Sequence, residues 1–400
     1  MAAQISALPR LARRPEVELV WSCARTHLSA ERVERARVLC ECGLDWDHVV
    51  AEARRHGVDP LLSRHLGAIG APTVPASILD ALRAQDEANG VRNRLLFAEL
   101  GKVLARLEGH GIPAMPYKGP VLAALAYGSL ALRRFADLDV IVRQEDVLRA
   151  VAALRDLGYA PRLALTPAQE RAYLAAQCEY ALDRDRGRLT VEIHWGVAPP
   201  DFALRFDLAR VWRTARPAPI YGMAVLVPEP EDVISMLVVH GSKHLWERLA
   251  WLVDVAELLD SQPQIDWTAL LGRARECGGA RMLAVALILA MDLLGAALPG
   301  AIALEARSDP GAAALAVEIA RWLADRATPA PRSWAALRAS VALRERGRDR
   351  AVHLLRTLVT PTIDDWASVR LPGGLLAAHY ALRPFRLATK YSAALLKRPR

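Results

Sequence analysis

The sequence predicts an α+β fold: a small β-sheet set between helical N-terminal and C-terminal regions. Three observations predict it. Apolar residues recur at helical spacing over the first hundred residues and again over most of the chain beyond residue 230. Between those regions, Asp137-Leu138-Asp139-Val140-Ile141-Val142 is an apolar run of strand length. Further on, residues 178–183 and 188–195 are strand-like segments joined by Arg184-Asp185-Arg186-Gly187, which reads as a hairpin. The domain boundaries that follow are 1–95 for the helical N-terminal region, 96–200 for the α/β core and 201–400 for the helical C-terminal region.

Taken in order, Ser29 caps a helix that opens at Ala30, and a second helix covers 46–55 and ends near Gly57. Residues 75–85 run on into 89–107, with Leu95, Leu96, Leu100, Val103, Leu104 and Leu107 at helical spacing, until Gly109 and Gly111 stop the helix. Nothing in the first 95 residues carries chemistry, and they read as helical support. Residues 112–117 form the first strand. Pro113 and Pro116 each remove a ladder donor, so it should be short or lie at an edge. Pro120 suits the first turn of a helix running to about Tyr127, with Gly128-Ser129 as its stop. Residues 144–157 are an amphipathic helix stopped by Gly158, and 167–176 are another helix.

From Asp201 onward the strands run out. An acidic start at Glu229, Glu231 and Asp232 opens a helix that continues through His240 and His244. Further helices are expected over 249–259, 267–276, 282–294, 310–327 and 334–359, the last broken by Thr360-Pro361-Thr362. A final helix follows 371–374 and runs through Tyr380. Residues 391–400 read as a basic tail, disordered over 397–400.

Composition narrows the function classes. With 400 residues, 53% hydrophobic and 24% charged, the chain has the make-up of a soluble globular protein with room for two or three domains. The net charge is +8, but 47 of the 52 basic residues are arginine, the signature of a GC-rich genome, so the charge is discounted as a sign of nucleic-acid binding. Five scattered cysteines give neither a disulfide framework nor a metal-knuckle spacing, and a reducing cytoplasm is expected. No secretory leader is read before Glu16. The most apolar stretch, 282–298, carries Asp292 near its middle; a charge there costs about 3 kcal/mol to insert in a bilayer, which makes it a buried helix.

Chemistry concentrates in few places. Asp137 and Asp139 are two residues apart at the head of a strand, so both carboxylates face one way. Like charges at the edge of a core need something positive between them, and a divalent cation with oxygen ligands is the natural candidate. The helix opening at Gly119 offers free backbone N–H groups, a seat for phosphate. On the second hairpin strand Thr190, Glu192 and His194 share a face. His240 and His244 have a zinc-like i, i+4 spacing, but Gly241 stands where a His-Glu-x-x-His site has its glutamate, which argues against zinc.

These pieces also occur in a recognisable order: Lys118-Gly119, Leu122-Ala123 and Tyr127; Arg133 four residues before Asp137-Leu138-Asp139; Glu192-Ile193-His194-Trp195; His240 through His244 with Arg248, Trp251 and Asp254; and Arg383-Pro384. From about residue 50 to about 390 the chain resembles a bacterial family of uncharacterised nucleotidyltransferases within the polymerase-β-like superfamily. The resemblance implies a small mixed-sheet nucleotidyltransferase core. It implies magnesium-dependent transfer of a nucleoside monophosphate, AMP by default, from a nucleoside triphosphate to an acceptor that is a small molecule, a peptide or a protein. Two magnesium ions, with manganese as an alternative, would be held by Asp137, Asp139 and Glu192, which are also the catalytic set. Lys118, Gly119, Arg133, Lys243 and Arg248 would meet the nucleotide. His194, His240, His244 and Asp254 are left open between acceptor positioning and structure.

Two other readings stay in view. One is a catalytically inactive nucleotide- or substrate-binding module of the same fold. The other is an RNA-acting transferase, for which the chain lacks an interleaved basic and aromatic stripe.

Overall fold

Helix starts follow the capping chemistry of the sequence. The computed structural model describes residues 14–330, 333–362, 365 and 378–396. The described residues open with four helices: α1 (Pro15–Ser22), α2 (Ala30–Cys40), α3 (Trp46–His56) and α4 (Asp59–Ile69). The Ser29 and Asp45 side chains accept from the N–H groups of Arg32 and His48 and so cap α2 and α3. The long helix α5 (Ala76–Gly109) crosses residue 95 unbroken. After the sheet region, α10 (Pro230–Lys243), α11 (Leu249–Ser261), α12 (Trp267–Cys277), α13 (Ala280–Leu294), α14 (Gly300–Arg307) and α15 (Pro310–Asp325) follow. They share one hydrophobic core with the opening helices, in which Leu19, Trp21 and Leu62 join Trp246, Leu252 and Leu287.

Seven short strands complete the chain's middle: β1 (Met115–Pro116), β2 (Leu138–Ile141), β3 (Ala160–Pro161), β4 (Glu179–Arg184), β5 (Leu189–His194), β6 (Arg216–Ile220) and β7 (Met223–Val227). The first five form one mixed sheet in the order β1-β2-β5-β4-β3. Only β2 and β5 run parallel, and their register sets Asp139 opposite Glu192 and Ile141 opposite His194. β1 is a two-residue edge strand, as its prolines require. One face of the sheet, through Leu138, Val140, Val191 and Ile193, packs on Leu100, Val103 and Leu107 of α5 and on Val151 and Leu154 of α7 (Val147–Arg155). Asp139, Glu192 and His194 alternate with those residues and point to the opposite face. Two further helices flank this region, α6 (Gly119–Tyr127) and α8 (Pro167–Ala176).

Four expectations are corrected. Strands do not end at Asp201: after α9 (Leu208–Thr214), β6 and β7 pair as a hairpin. Its two-residue loop is Tyr221-Gly222, both with positive φ, which is the tight turn whose twist suits a hairpin. Pro217 and Pro219 fall between the hydrogen-bonded pairs that such a loop dictates, so neither removes a needed donor. The single helix expected over 334–359 is two, α16 (Trp334–Ala342) and α17 (Gly347–Val359). Between them Arg344 turns fully inward and donates to the Ser340 and Phe202 carbonyls. The last helix, α18 (Ala378–Leu396), does not stop at Tyr380, and the tail expected from Tyr391 is helical as far as Leu396. Residues 371–374 and 397–400 lie outside the described residues. Strand β3 was not anticipated.

Asp292 sits on α13 and is held by the Arg307 guanidinium. Among the described residues no helix is long and apolar enough to cross a membrane. All five cysteines are free.

Candidate active site

The positive charge between the carboxylates comes from the chain itself. Lys118, the residue before α6, is buried and places Nζ 3.0 Å from Asp139 Oδ1. His194 Nε2 is also 3.0 Å from that oxygen and 3.6 Å from Glu192 Oε2, while its Nδ1 lies 3.7 Å from Glu179 Oε2. Burial opposes the Asp139 charge, but the Lys118 ammonium and the His194 hydrogen bond hold its carboxyl far below the usual carboxylate range. Burial likewise works against protonation of His194, yet its hydrogen bonds to Asp139 and Glu192 raise it to about 9. Asp137 has the opposite setting. Its carboxyl makes no hydrogen bond to a described residue, and burial with the neighbouring Asp139 and Glu192 charges pushes it up to about 6. Gly119 has φ +52°, and a Cβ there would come within 3.3 Å of the Asp137 carbonyl; the glycine is what lets the α6 start approach the head of β2.

A second group fixes the loop that carries Asp137. Arg133 donates from Nε and Nη2 to Asp254 of α11 at 2.7 and 2.8 Å, and Tyr127 donates to the same carboxylate at 2.7 Å. The Arg133 Nη1 is buried and has no hydrogen-bond partner among the described residues. Asn89 and Asn93 on α5 hold the loop by its backbone, donating to the carbonyls of Ala131, Leu130 and Arg133. Arg134 is exposed but reaches Asp59 at 3.1 Å.

The far wall is helical. On α10, Lys243 pairs with Glu179 at 3.5 Å, and His240 Nδ1 lies 3.4 Å from Lys118 Nζ. Burial and the neighbouring Lys118 charge hold His240 well below its ordinary range, and burial with the Lys243 charge takes His244 down to about 4. Both rings meet Trp251 of α11, with centroids 5.0 and 5.2 Å away. Gly241 has a steric reason: a Cβ there would lie 2.4 Å from the buried Trp246 ring. Sheet, loop and helical wall enclose a cavity of about 350 Å³.

A family model described as uncharacterised nucleotidyltransferase matches residues 43–295. The chain belongs to this family. It is a family of nucleotidyltransferases, enzymes that transfer phosphorus-containing groups, and the match takes in the whole cavity. The Arg383-Pro384 pair lies beyond the matched residues. No curated protein matches the chain.

In this nucleotidyltransferase the cavity is lined by Asp137, Asp139, Glu192, Lys118, Arg133, Lys243, Arg248, His240, His244 and Asp254. Gly119 and His194 lie directly behind that lining. The structure changes the partners, however. Lys118, expected on a phosphate, is bound to Asp139; Arg133, expected on a triphosphate, is clamped on Asp254; Lys243 is paired with Glu179. Arg248 is exposed at the rim and makes no ion pair with a described residue. Asp139, Glu192 and His194 place ligand atoms within 4.8 Å of one another, while Asp137 stands outside that cluster.

Sequence reading missed Glu179, Asn89 and Asn93. Glu179 pairs with His194 in the β4–β5 register, so the hairpin pairing carried the signal. Asn89 and Asn93 are an i, i+4 amide pair beside an apolar stripe.

Proposed function

We propose that this nucleotidyltransferase moves a nucleoside monophosphate, AMP in the first instance, from a magnesium-bound nucleoside triphosphate to an acceptor hydroxyl on a small molecule, peptide or protein, as in polymerase-β-like enzymes. One observation carries the reading: Asp139 faces Glu192 across two parallel strands, with Asp137 at the strand head, in a cavity that also holds Lys118 and Arg133.

The residues fit a hard divalent ion. Asp139 and Glu192 share one ligand cluster, with Asp137 beside it at the strand head; Asp137 has no hydrogen-bond partner among the described residues and is disfavoured as a charge by burial and by Asp139 and Glu192, a cost that a cation would relieve. Asp137, Asp139 and Glu192 would hold magnesium, with manganese as the substitute, and His194 would steady Asp139 and Glu192 by hydrogen bonds. Two such ions, when bound, supply charge stabilisation to the attacking and leaving oxygens of an in-line displacement.

The chain's own part is orientation and proton handling. Glu192 is partly exposed to the cavity and is the carboxylate placed to accept the acceptor's hydroxyl proton. Lys118, whose ammonium now neutralises Asp139, offers its remaining N–H donors to phosphate oxygens, and the N-terminus of α6 adds its dipole. The Arg133 Nη1, with no partner among the described residues, is a buried donor on a guanidinium that Asp254 holds.

Isothermal titration of ATP, GTP, CTP and UTP with magnesium, on the native chain and on Asp137→Ala, tests this. One nucleotide is expected to bind only with magnesium and to lose that binding in the variant. Failure of all four to bind, or binding that Asp137→Ala leaves intact, would overturn the assignment.

A further inference from the structure

The helical wall of the cavity has a feature that phosphate and metal chemistry do not use. His240, His244 and Trp251 form a closed set of ring contacts, with centroids 4.8, 5.0 and 5.2 Å apart. All three rings line the cavity and all three are partly exposed. They come from two helices: His240 and His244 share a face of α10 one turn apart, and Trp251 stands in the first turn of α11.

A zinc role for the two histidines is not what this arrangement serves. Each imidazole is packed against the indole, and His240 Nδ1 lies 3.4 Å from the Lys118 ammonium, a cation. Burial and the lysine charges keep both imidazoles neutral, so the wall presents uncharged aromatic surface in an otherwise highly charged cavity.

Aromatic surface inside a polar cavity selects a flat, uncharged, π-rich group. Its placement says which part of a ligand that would be. Lys118 touches both ends of the arrangement: Nζ is 3.0 Å from Asp139 on the sheet and 3.4 Å from His240 on the wall. The rings therefore begin one side chain away from the carboxylates. We propose that the ring cluster of His240, His244 and Trp251 is the seat of the nucleobase, with Trp251 as the stacking surface. This rests on the nucleotide reading above and adds to it which residues see the base. Stacking on an indole is tolerant of base identity because every base has a π face. Discrimination between bases then falls to the polar rim, where Glu247 and Arg248 are exposed beside the rings.

The test separates base from phosphate. Magnesium-ATP and magnesium-tripolyphosphate are titrated into the full chain, native and with Trp251→Leu or Trp251→Phe. Native protein should bind ATP more tightly than tripolyphosphate. Trp251→Leu should lose roughly tenfold or more in ATP affinity, in line with base–aromatic stacking, and keep its tripolyphosphate affinity. Trp251→Phe should recover most of the ATP affinity. Retained tripolyphosphate binding shows that the variant still folds. Native ATP binding that Trp251→Leu leaves unchanged would overturn the base seat and leave the nucleotide reading standing. So would equal native affinities for the two ligands, or loss of both ligands alike in both variants. If the native chain binds neither ligand, the nucleotide reading itself fails and the base seat falls with it.

Discussion

Two aspartates two residues apart have opposite electrostatic settings, and substitution should separate them. Asp139 anchors two buried cations, Lys118 and His194. Asp139→Ala strands both, and breaking a buried ion pair from one side costs about 3–5 kcal/mol. Asp137 faces Asp139 and Glu192 without a hydrogen-bond partner among the described residues, and its carboxyl is raised to about 6 from 3.8. A raised carboxyl favours the fold below pH 4 and loses that contribution as pH rises through 6, so at neutral pH the Asp137 charge works against folding. Asp137→Asn should therefore be neutral or stabilising without divalent ions. Both variants should lose nucleotidyl transfer. Urea unfolding at pH 7 with chelator decides it, and equal destabilisation by the two would sink this account. The sequence shows that the carboxylates share a face, because a strand's side chains alternate with period two. It does not show that Lys118, 21 residues earlier, and His194, 55 residues later, supply the positive charge between them; the β1–β2 pairing brings in the first and the β2–β5 register the second.

At the scale of elements, the α10–α11 connection shapes the helical wall of the cavity. Leu245 and Trp246 both have positive φ, and the turn folds the Trp246 ring onto Gly241. The glycine that breaks the zinc motif is thus a packing requirement. A methyl group at 241 would meet a rigid, fully buried ring at 2.4 Å. Gly241→Ala should cost about 1–3 kcal/mol by overpacking. It should also weaken nucleotide binding, since His244 and Arg248 flank the displaced turn. Trp246→Leu makes room, so the double variant should be less destabilised than the sum of the two singles. Additive losses in a denaturation double-mutant cycle would refute the contact. Elements of this kind were only partly legible. The sheet hairpin and the helices of the core announce themselves through alternation, caps and glycine stops. The β6–β7 hairpin was hidden by Pro217 and Pro219, which are harmless only because of the register that its loop sets. The break between α16 and α17 depends on Arg344 finding the carbonyl of Phe202, a partner 142 residues away that no local pattern reveals.

Across the whole molecule, N-terminal and C-terminal helices meet in one core, and one polar cluster in that core ties the opening helices to the helical wall of the cavity. His56, at the end of α3, accepts the Leu249 N–H at Nδ1 (3.0 Å), which leaves Nε2 as the protonated nitrogen, 3.1 Å from Glu52. Glu52 is also held by Arg55 and by Arg326 at the end of α15. Burial and the nearby Arg55 charge lower His56 from its ordinary 6.5, despite the Glu52 hydrogen bond. Burial would raise Glu52, but its bonds to His56 and Arg55 hold it well below its ordinary 4.5. Both groups bind protons more readily in the unfolded chain, so both make stability fall on acidification: His56 as pH drops below about 6.5, Glu52 as it drops below about 4.5. Protonating His56 also removes the acceptor for Leu249, the residue that follows Arg248 at the cavity rim. The loss of stability between pH 7 and pH 5 should therefore be accompanied by weaker nucleotide binding, even though neither residue lines the cavity. With Asp137→Asn as the background, which removes the opposing gain that this carboxyl makes as pH falls through 6, denaturation midpoints measured at pH 7, 6, 5 and 4 should decline throughout, and adding Glu52→Gln, already weaker at pH 7, should flatten the lower part of the decline. A midpoint constant from pH 7 to pH 5 would mean that His56 takes up a proton in the folded chain without losing Leu249, and the link from this core to the cavity wall would be broken.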